Sequence, residues 1–529
     1  MKKAKIFLYI LLGLIVIVLV PIIFLNTWAM CRLWQTGRVK TPEGLNRLEE
    51  MYRKYNVTPE GYNLLDMPLW KACMKENLSI GSNQFFFPTE GQEEKARTNT
   101  LDVWVRELGT KHAFYRYICT SRASPEKDSR AMMLPTLERI WEAMAEVNKN
   151  YFPSEAETEK ALLLLERLER YDVEASELSE EQKVASLFLE YMDLENDPVW
   201  KEIQQNLKES SYYGIPWGKY VKEYGKGDDG FIDFIGTSHL HALKMLTKDA
   251  LMKAQWHSIL GDREKCLSEL ERALDLTSLM YWKPWLLDFM VRTSAERIMF
   301  DTIHEIIAGN ILTEEDLAGI QTRLAQINVI GDLLYCLEGE QVWCEKIIGA
   351  PATFFRALMW PTPKLFSFFA RVSGVVSFNK ATYRQVLWKT QDALNPEAQT
   401  VDYAVLKKAL EGVEGKLNRL CWNLTATFEK TLCRTLRCQS ERDVAILACA
   451  LERYRMKEGS FPEKLEMLIP KYLPQIPPGS GPPAILTYRL NEKGYELRAN
   501  RMPDYKPDFP LPNFKDSYSP EAVLKRSVK

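Results

Sequence analysis

The sequence predicts a mainly α-helical protein with an N-terminal transmembrane helix, a multi-helix body and a small C-terminal α+β module. Three observations predict this. An uncharged apolar run occupies 6–25, apolar residues recur at three- and four-residue spacing from residue 41 onward, and alternate-residue spacing takes over only after 485. With 529 residues the chain has room for about three domains. Its 46% hydrophobic and 26% charged residues are values of a globular chain able to bury large cores.

The run 6–25 holds twenty residues, seventeen of them Leu, Ile, Val or Phe. As a helix it measures about 30 Å, the thickness of a bilayer's hydrocarbon core. Each such residue favours insertion by roughly 0.3–0.6 kcal/mol, a total of about 5–10 kcal/mol that outweighs Gly13 and Pro21. Tyr9 and Trp28 stand near the two ends, where amphipathic rings favour the interface. A cleaved signal peptide has an apolar core of about 7–15 residues followed by small residues. The run here is longer, and Thr27-Trp28-Ala29 is a poor cut site. A retained single-pass anchor is expected within an N-terminal unit, 1–30. Lys2, Lys3 and Lys5 precede it without an acid, whereas Arg32, Arg38 and Lys40 are soon joined by Glu43, Glu49 and Glu50. The positive-inside rule then places the N-terminus on the cytoplasmic side and the body outside.

Two helical regions follow, 41–210 and 211–438. Thr41-Pro42-Glu43 and Thr58-Pro59-Glu60 look like helix starts. Leu162, Leu163, Leu164, Leu165 and Leu168 form a broad apolar stripe, and a break over 171–179 precedes a second helix near Glu180. The Gly- and Tyr-rich stretch 210–236 reads as a long loop with a short strand at 231–236. At 254–276 one helix–turn–helix unit of tetratricopeptide type is expected, with Gly261 closing the first helix and Asp262 capping the second. Leu267, Leu270 and Leu274 share its inner face, and no second copy follows at the repeat's period. Thr313 to Asp316 has a capping-box pattern. The aromatic stretch 348–378 is broken by Pro351, Pro361 and Pro363, which rules out one spanning helix and suggests a buried hairpin or a surface lying on lipid.

In 440–500, Ser440 and Asp443 can open a helix, Val444, Leu447, Leu451 and Tyr454 form its stripe, and Gly459 ends it. Pro462 starts a short helix carrying Leu465 and Leu468. Leu486, Tyr488 and Leu490 then alternate, as do Tyr495 and Leu497, around a turn at 491–494. The remaining 501–529 reads as a Pro-rich tail.

The order Tyr454, Gly459, Phe461-Pro462, Leu465, Leu468, Pro477, Tyr488, Gly494-Tyr495 resembles the globular part of pseudopilins from type II secretion systems. The resemblance covers about 60 residues and implies an assembly module with no catalytic residue. The family's N-terminal processing signal is absent, and Arg498-Ala499-Asn500-Arg501 stands where the family often has a calcium loop. The whole arrangement looks like uncharacterised membrane-anchored bacterial envelope proteins, a resemblance that implies an anchor in a bacterial inner membrane and a periplasmic body.

Enzyme motifs are weak. His239 and His241 would share a face only on a strand, and the barrel strands needed around such a metal pair are missing. His304-Glu305 begins HExxH but reaches Ala308 where the second His belongs. Gly412-Val413-Glu414-Gly415-Lys416 is too short for a phosphate loop, and Ser124-Pro125-Glu126-Lys127 lacks its partner motifs. The ten cysteines form no CxxC pair, which disfavours zinc and thioredoxin chemistry and leaves free buried thiols or disulfides. A formal charge of -2 gives no basic footprint for nucleic acid. The sequence therefore assigns no catalytic, cofactor-binding or metal residue and no cofactor. It points to a structural or protein-interaction component whose partners are the bilayer, through 6–25, and other envelope proteins. The alternatives are an enzyme with an unrecognised site near 212–241 and a lipid or small-molecule binder using 348–378.

Overall fold

A computed structural model describes residues 178–193, 197–210, 238–280, 286–349, 375–402, 419–477, 485–491, 494–500 and 521–527, with isolated positions elsewhere. The described part is mainly helical, with one two-stranded and one three-stranded antiparallel sheet.

Helix α1 (Glu180–Tyr191) starts at Ser179, whose Oγ accepts the Gln182 amide while the Gln182 side chain caps back. This is the helix start expected near Glu180. Helix α2 (Pro198–Glu209) is capped by Asp197 with Pro198 in its first turn, and it buries Trp200 and Ile203. Helices α3 (Ser238–Leu260) and α4 (Arg263–Leu279) form the expected hairpin. Gly261 turns the chain at φ 76°, a conformation that suits glycine, and Asp262 accepts from the Lys265 amide. Cys266, Leu270 and Leu274 are buried and Leu267 is half-buried, so the predicted inner face of α4 is the observed one. Phe188 stacks on Trp256 at 5.6 Å, joining α1 to α3.

Helix α5 (Leu286–Ala308) packs against α3, against α7 (Val329–Gly349) and against the long final helix. Helix α6 (Glu314–Ala325) opens with the predicted capping box at Thr313. Helix α8 (Val375–Ala393) leads into a hairpin, β1 (Leu394–Asn395) and β2 (Thr400–Val401), which the sequence reading did not anticipate. Helix α9 (Arg419–Glu458) is 40 residues long, about 60 Å of spine. Every residue from Val444 to Leu451 is buried, because small Ala445, Ala448 and Ala450 let neighbours approach on all sides.

Helix α9 corrects one expectation. Ser440 is a fully buried position inside the helix and does not cap it. Nothing between Arg419 and Glu458 is Gly or Pro, so the helix runs without a break across 438–440. It ends as expected at Gly459, φ 81°. The short helix predicted after Pro462 is only a 3-10 turn, Leu465–Leu468.

Strands β3 (Ile485–Asn491) and β4 (Gly494–Asn500) pair in register from Asn491↔Gly494 to Ile485↔Asn500, as the alternation predicts. The supposed tail contributes a third strand, β5 (Glu521–Ser527), paired along its length with β4. Tyr495, Leu497 and Ala499 point into the same core as α9. Phe461 meets Tyr495 edge-on at 4.9 Å, and Tyr488 Oη donates to the Pro462 carbonyl at 2.7 Å. The sheet is continuous with the helical body. Gln321 Nε2 on α6 donates to the Tyr472 carbonyl at 2.8 Å, and Arg453 on α9 bridges to Glu314 at 2.8 Å.

Among the described residues no helix is long and apolar enough to cross a membrane. The expected anchor at 6–25 lies outside them, apart from helical Ile23 and Phe24, which are exposed. The stretches 211–237 and 350–374 also lie outside.

Candidate functional site

Where α1 and α2 meet the α3–α4 hairpin, a cleft of about 460 Å³ opens. Its size falls in the range of small-molecule sites. Trp200 comes from α2, Lys253 and His257 from α3, and Lys265, Glu269 and Arg272 from α4. These last three recur at three- and four-residue spacing and so share one helix face.

A buried carboxylate organises the floor. Asp249 is fully buried, and its Oδ2 lies 3.0 Å from Lys253 Nζ and 3.4 Å from Arg272 Nη2. One buried charge between two cations satisfies the need for compensation in a dry environment. Both cations also lie over the Trp200 ring, Lys253 Nζ at 5.7 Å and the Arg272 guanidinium at 5.1 Å. Glu269 pairs with Arg272 Nη2. Burial pushes the Glu269 carboxyl up to about 7, against the pull of Arg272 and Lys253. Burial also lowers the His257 imidazole, and its Nδ1 is buried 3.8 Å from Asp262 Oδ2. The cleft thus gathers a cation pair, an aromatic face and a carboxyl that exchanges its proton near neutrality.

A second polar cluster lies inside the bundle. Asp288, Arg292 and Glu296 recur every four residues on α5 and are buried. Arg292 Nη2 reaches Asp332 on α7 at 2.9 Å, and its Nε lies 3.3 Å from Glu296. Cys438 Sγ on α9 lies 3.7 Å from Glu296 Oε2. Burial pushes the Asp332 carboxyl up to about 6. Arg292 with Asp332, and Glu296 with Cys438, face each other across helix–helix contacts, the arrangement of a network that fixes helix register.

The motif residues weighed in the sequence fall elsewhere. His239 and His241 are in the first turn of α3, a helix, where positions two apart do not share a face. Among the described residues no group of three His, Cys, Asp or Glu could hold a metal ion. His304 and Glu305 lie on α5 near its end. Cys266, Cys336, Cys433, Cys438 and Cys449 are buried thiols, one of the two readings left open by the sequence. The residues 212–241 up to the start of α3, and most of 348–378, lie outside the described structure, so the enzyme and lipid alternatives built on them have no geometry.

Sequence reasoning missed the cleft residues. Their one visible signal is spacing, Asp249 to Lys253 and Glu269 to Arg272, which is equally that of surface ion pairs. Compared with protein-family models, with curated proteins and with solved structures, the chain matches none, and no pseudopilin resemblance is shown. The fold and cleft therefore define a class only: a mainly helical protein with a small sheet and a polar, aromatic-floored cleft.

Proposed function

We propose that this protein is a membrane-tethered binding protein, anchored in a bacterial inner membrane through 6–25, that holds a small polar ligand in the cleft beside Trp200. The observation that carries the reading is the convergence of Lys253, Arg272, Glu269 and His257 on one cavity of about 460 Å³. Charged side chains are kept this deep only where compensation is built for them, and a concave polar seat is what small ligands use. The tether rests on the length and hydropathy of 6–25 and the body's periplasmic placement on the Lys2, Lys3 and Lys5 flank.

The test is a thermal-shift screen of full-length protein in detergent against neutral, cationic and anionic small molecules. Hits should be lost in Ser268→Trp, which places an indole in the cleft mouth. A screen without any hit sensitive to that substitution would sink the reading. Protease added to intact spheroplasts should degrade the body, and full protection would reverse the topology.

A second reading keeps the envelope-assembly role, in which the C-terminal sheet contacts other envelope proteins. It is favoured by strand β3, an outer strand of the sheet with Leu490 47% exposed. An outer strand can accept a partner's strand. Crosslinking from a photoreactive residue at Arg489 that captures no envelope protein would count against it.

A further inference from the structure

Arg272 is the pivot of the cleft floor. Its Nη2 faces Asp249 at 3.4 Å and also pairs with Glu269, but its Nε is buried with no hydrogen-bond acceptor among the described residues. Lys253, over the same Trp200 ring, has three N–H donors, and the Asp249 oxygen at 3.0 Å takes one of them. A buried donor without an acceptor is costly, and the acceptor that would satisfy both cations is an anionic oxygen.

Glu269 already presents such an oxygen, one helical turn from Arg272 on α4. The charged groups around it are Arg272 and Lys265 on α4, Lys253, His257 and Asp249 on α3, and Glu190 and Asp193 on the opposite wall. Burial holds its carboxyl at about 7, so near neutrality it is divided between a charged form that competes for Arg272 and a neutral form that does not.

Resting on the reading of this cleft as a ligand seat, we propose that Arg272 and Lys253 bind an oxyanion group of a small ligand, and that Glu269 is a built-in competitor that gives way on taking up a proton. Binding then consumes one proton from solvent at Glu269, and no covalent bond changes. The oxyanion is a carboxylate or a tetrahedral phosphate- or sulfate-type group.

The experiment is calorimetric titration of the full-length protein in detergent at pH 6, 7 and 8 and fixed ionic strength. The probes are sulfate and acetate, whose charges stay constant over that range. Affinity is expected to rise about tenfold from pH 8 to pH 6, the limit for one linked proton of pKa near 7. Glu269→Gln should bind at all three pH values as the wild type does at pH 6, and Lys253→Met should weaken binding at least tenfold. Sulfate binding above acetate identifies a tetrahedral group, and the reverse identifies a carboxylate. A pH-independent wild type, or a Glu269→Gln protein with the wild-type pH profile, would overturn the competitor role. Silence from both anions, with a neutral or cationic compound bound in a manner that Ser268→Trp abolishes, would remove the oxyanion and leave the cleft a ligand seat. Silence from every compound would remove both.

Discussion

Arg263 at the start of α4 grips Asp316 in the first turn of α6, with Nε and Nη2 donating to its two carboxylate oxygens at 2.6 and 2.7 Å. Asp316 also closes the capping box by accepting the Thr313 amide at 2.8 Å. One side chain therefore closes the cap of one helix and ties it to the α3–α4 hairpin. The Arg263 hydrogen bond holds the Asp316 carboxyl below the usual carboxylate range, so its contribution is present above that range and lost as pH falls through it.

Asp316→Ala should destabilise the protein by about 1–2 kcal/mol, the sum of a lost cap and a lost charged hydrogen bond. Arg263→Ala removes only a partner that is 41% exposed, and should cost less than Asp316→Ala. Denaturant midpoints for the two variants test the order. Equal losses would mean that the cap contributes little.

The Arg292 network predicts a different pattern. Arg292→Leu takes the shared cation from Glu296 and Asp332, and should cost about 3–5 kcal/mol. The triple change Arg292→Leu, Glu296→Leu, Asp332→Leu removes the charges together and should cost much less than the single one. A triple variant less stable than Arg292→Leu would show that the network contributes attraction beyond mutual compensation.

His304 supplies the acid limb of stability. Its Nε2 is buried without a hydrogen-bond partner among the described residues, and burial lowers its imidazole to about 4 while Glu441 opposes. Between about 6.5 and 4 the unfolded chain binds a proton that the folded chain refuses, so stability falls as pH falls through that window. The loss amounts to roughly 2–3 kcal/mol at the acid end. Asp332, raised to about 6, and Glu269, raised to about 7, act in the opposite direction, since their neutral forms are favoured by folding. The wild-type curve mixes all three. The difference between wild type and His304→Gln isolates the histidine and should shrink toward pH 4. A constant difference across pH 4–7 would show that burial leaves the His304 imidazole titrating as it does in the unfolded chain.

Local chemistry decided what could be read from the sequence. Ser179, Gly261 with Asp262, Thr313 and Gly459 each carry a start or stop signal within a few residues, and each stands where the signal placed it. Ser440 carries the same kind of signal but lies in a helix already propagating from Arg419, and packing on all sides overrides the cap. The cleft was hidden for a related reason. Asp249 and Arg272 are 23 residues apart and meet only because Gly261 folds α4 back on α3. Trp200 arrives from a third helix, so no spacing within one segment could announce the site.

Strand β5 shows the same limit, and its removal has a definite consequence. Residues 521–527 follow a Pro-rich stretch and carry no strong alternation, yet they pair with β4 from Glu521↔Asn500 to Ser527↔Gly494. Leu524 sits opposite Leu497, whose side chain is fully buried in the core shared with α9. Truncation after residue 520 would strip the hydrogen-bond partners from one side of β4, the middle strand of the sheet. It would also uncover part of the face formed by Tyr495, Leu497 and Ala499, where each large apolar side chain contributes about 1.5–3 kcal/mol by burial. A central strand converted into an edge is also a template for intermolecular pairing. The truncated protein should therefore have a lower melting midpoint and aggregate on warming. Leu524→Asp in the full-length chain should lower the midpoint in the same direction, because it sets a charge against the buried cluster while keeping the strand. Hydrogen exchange at the β4 amides reads the effect directly. Protection of 494–500 unchanged by the truncation would mean that β4 is held by β3 and α9 alone.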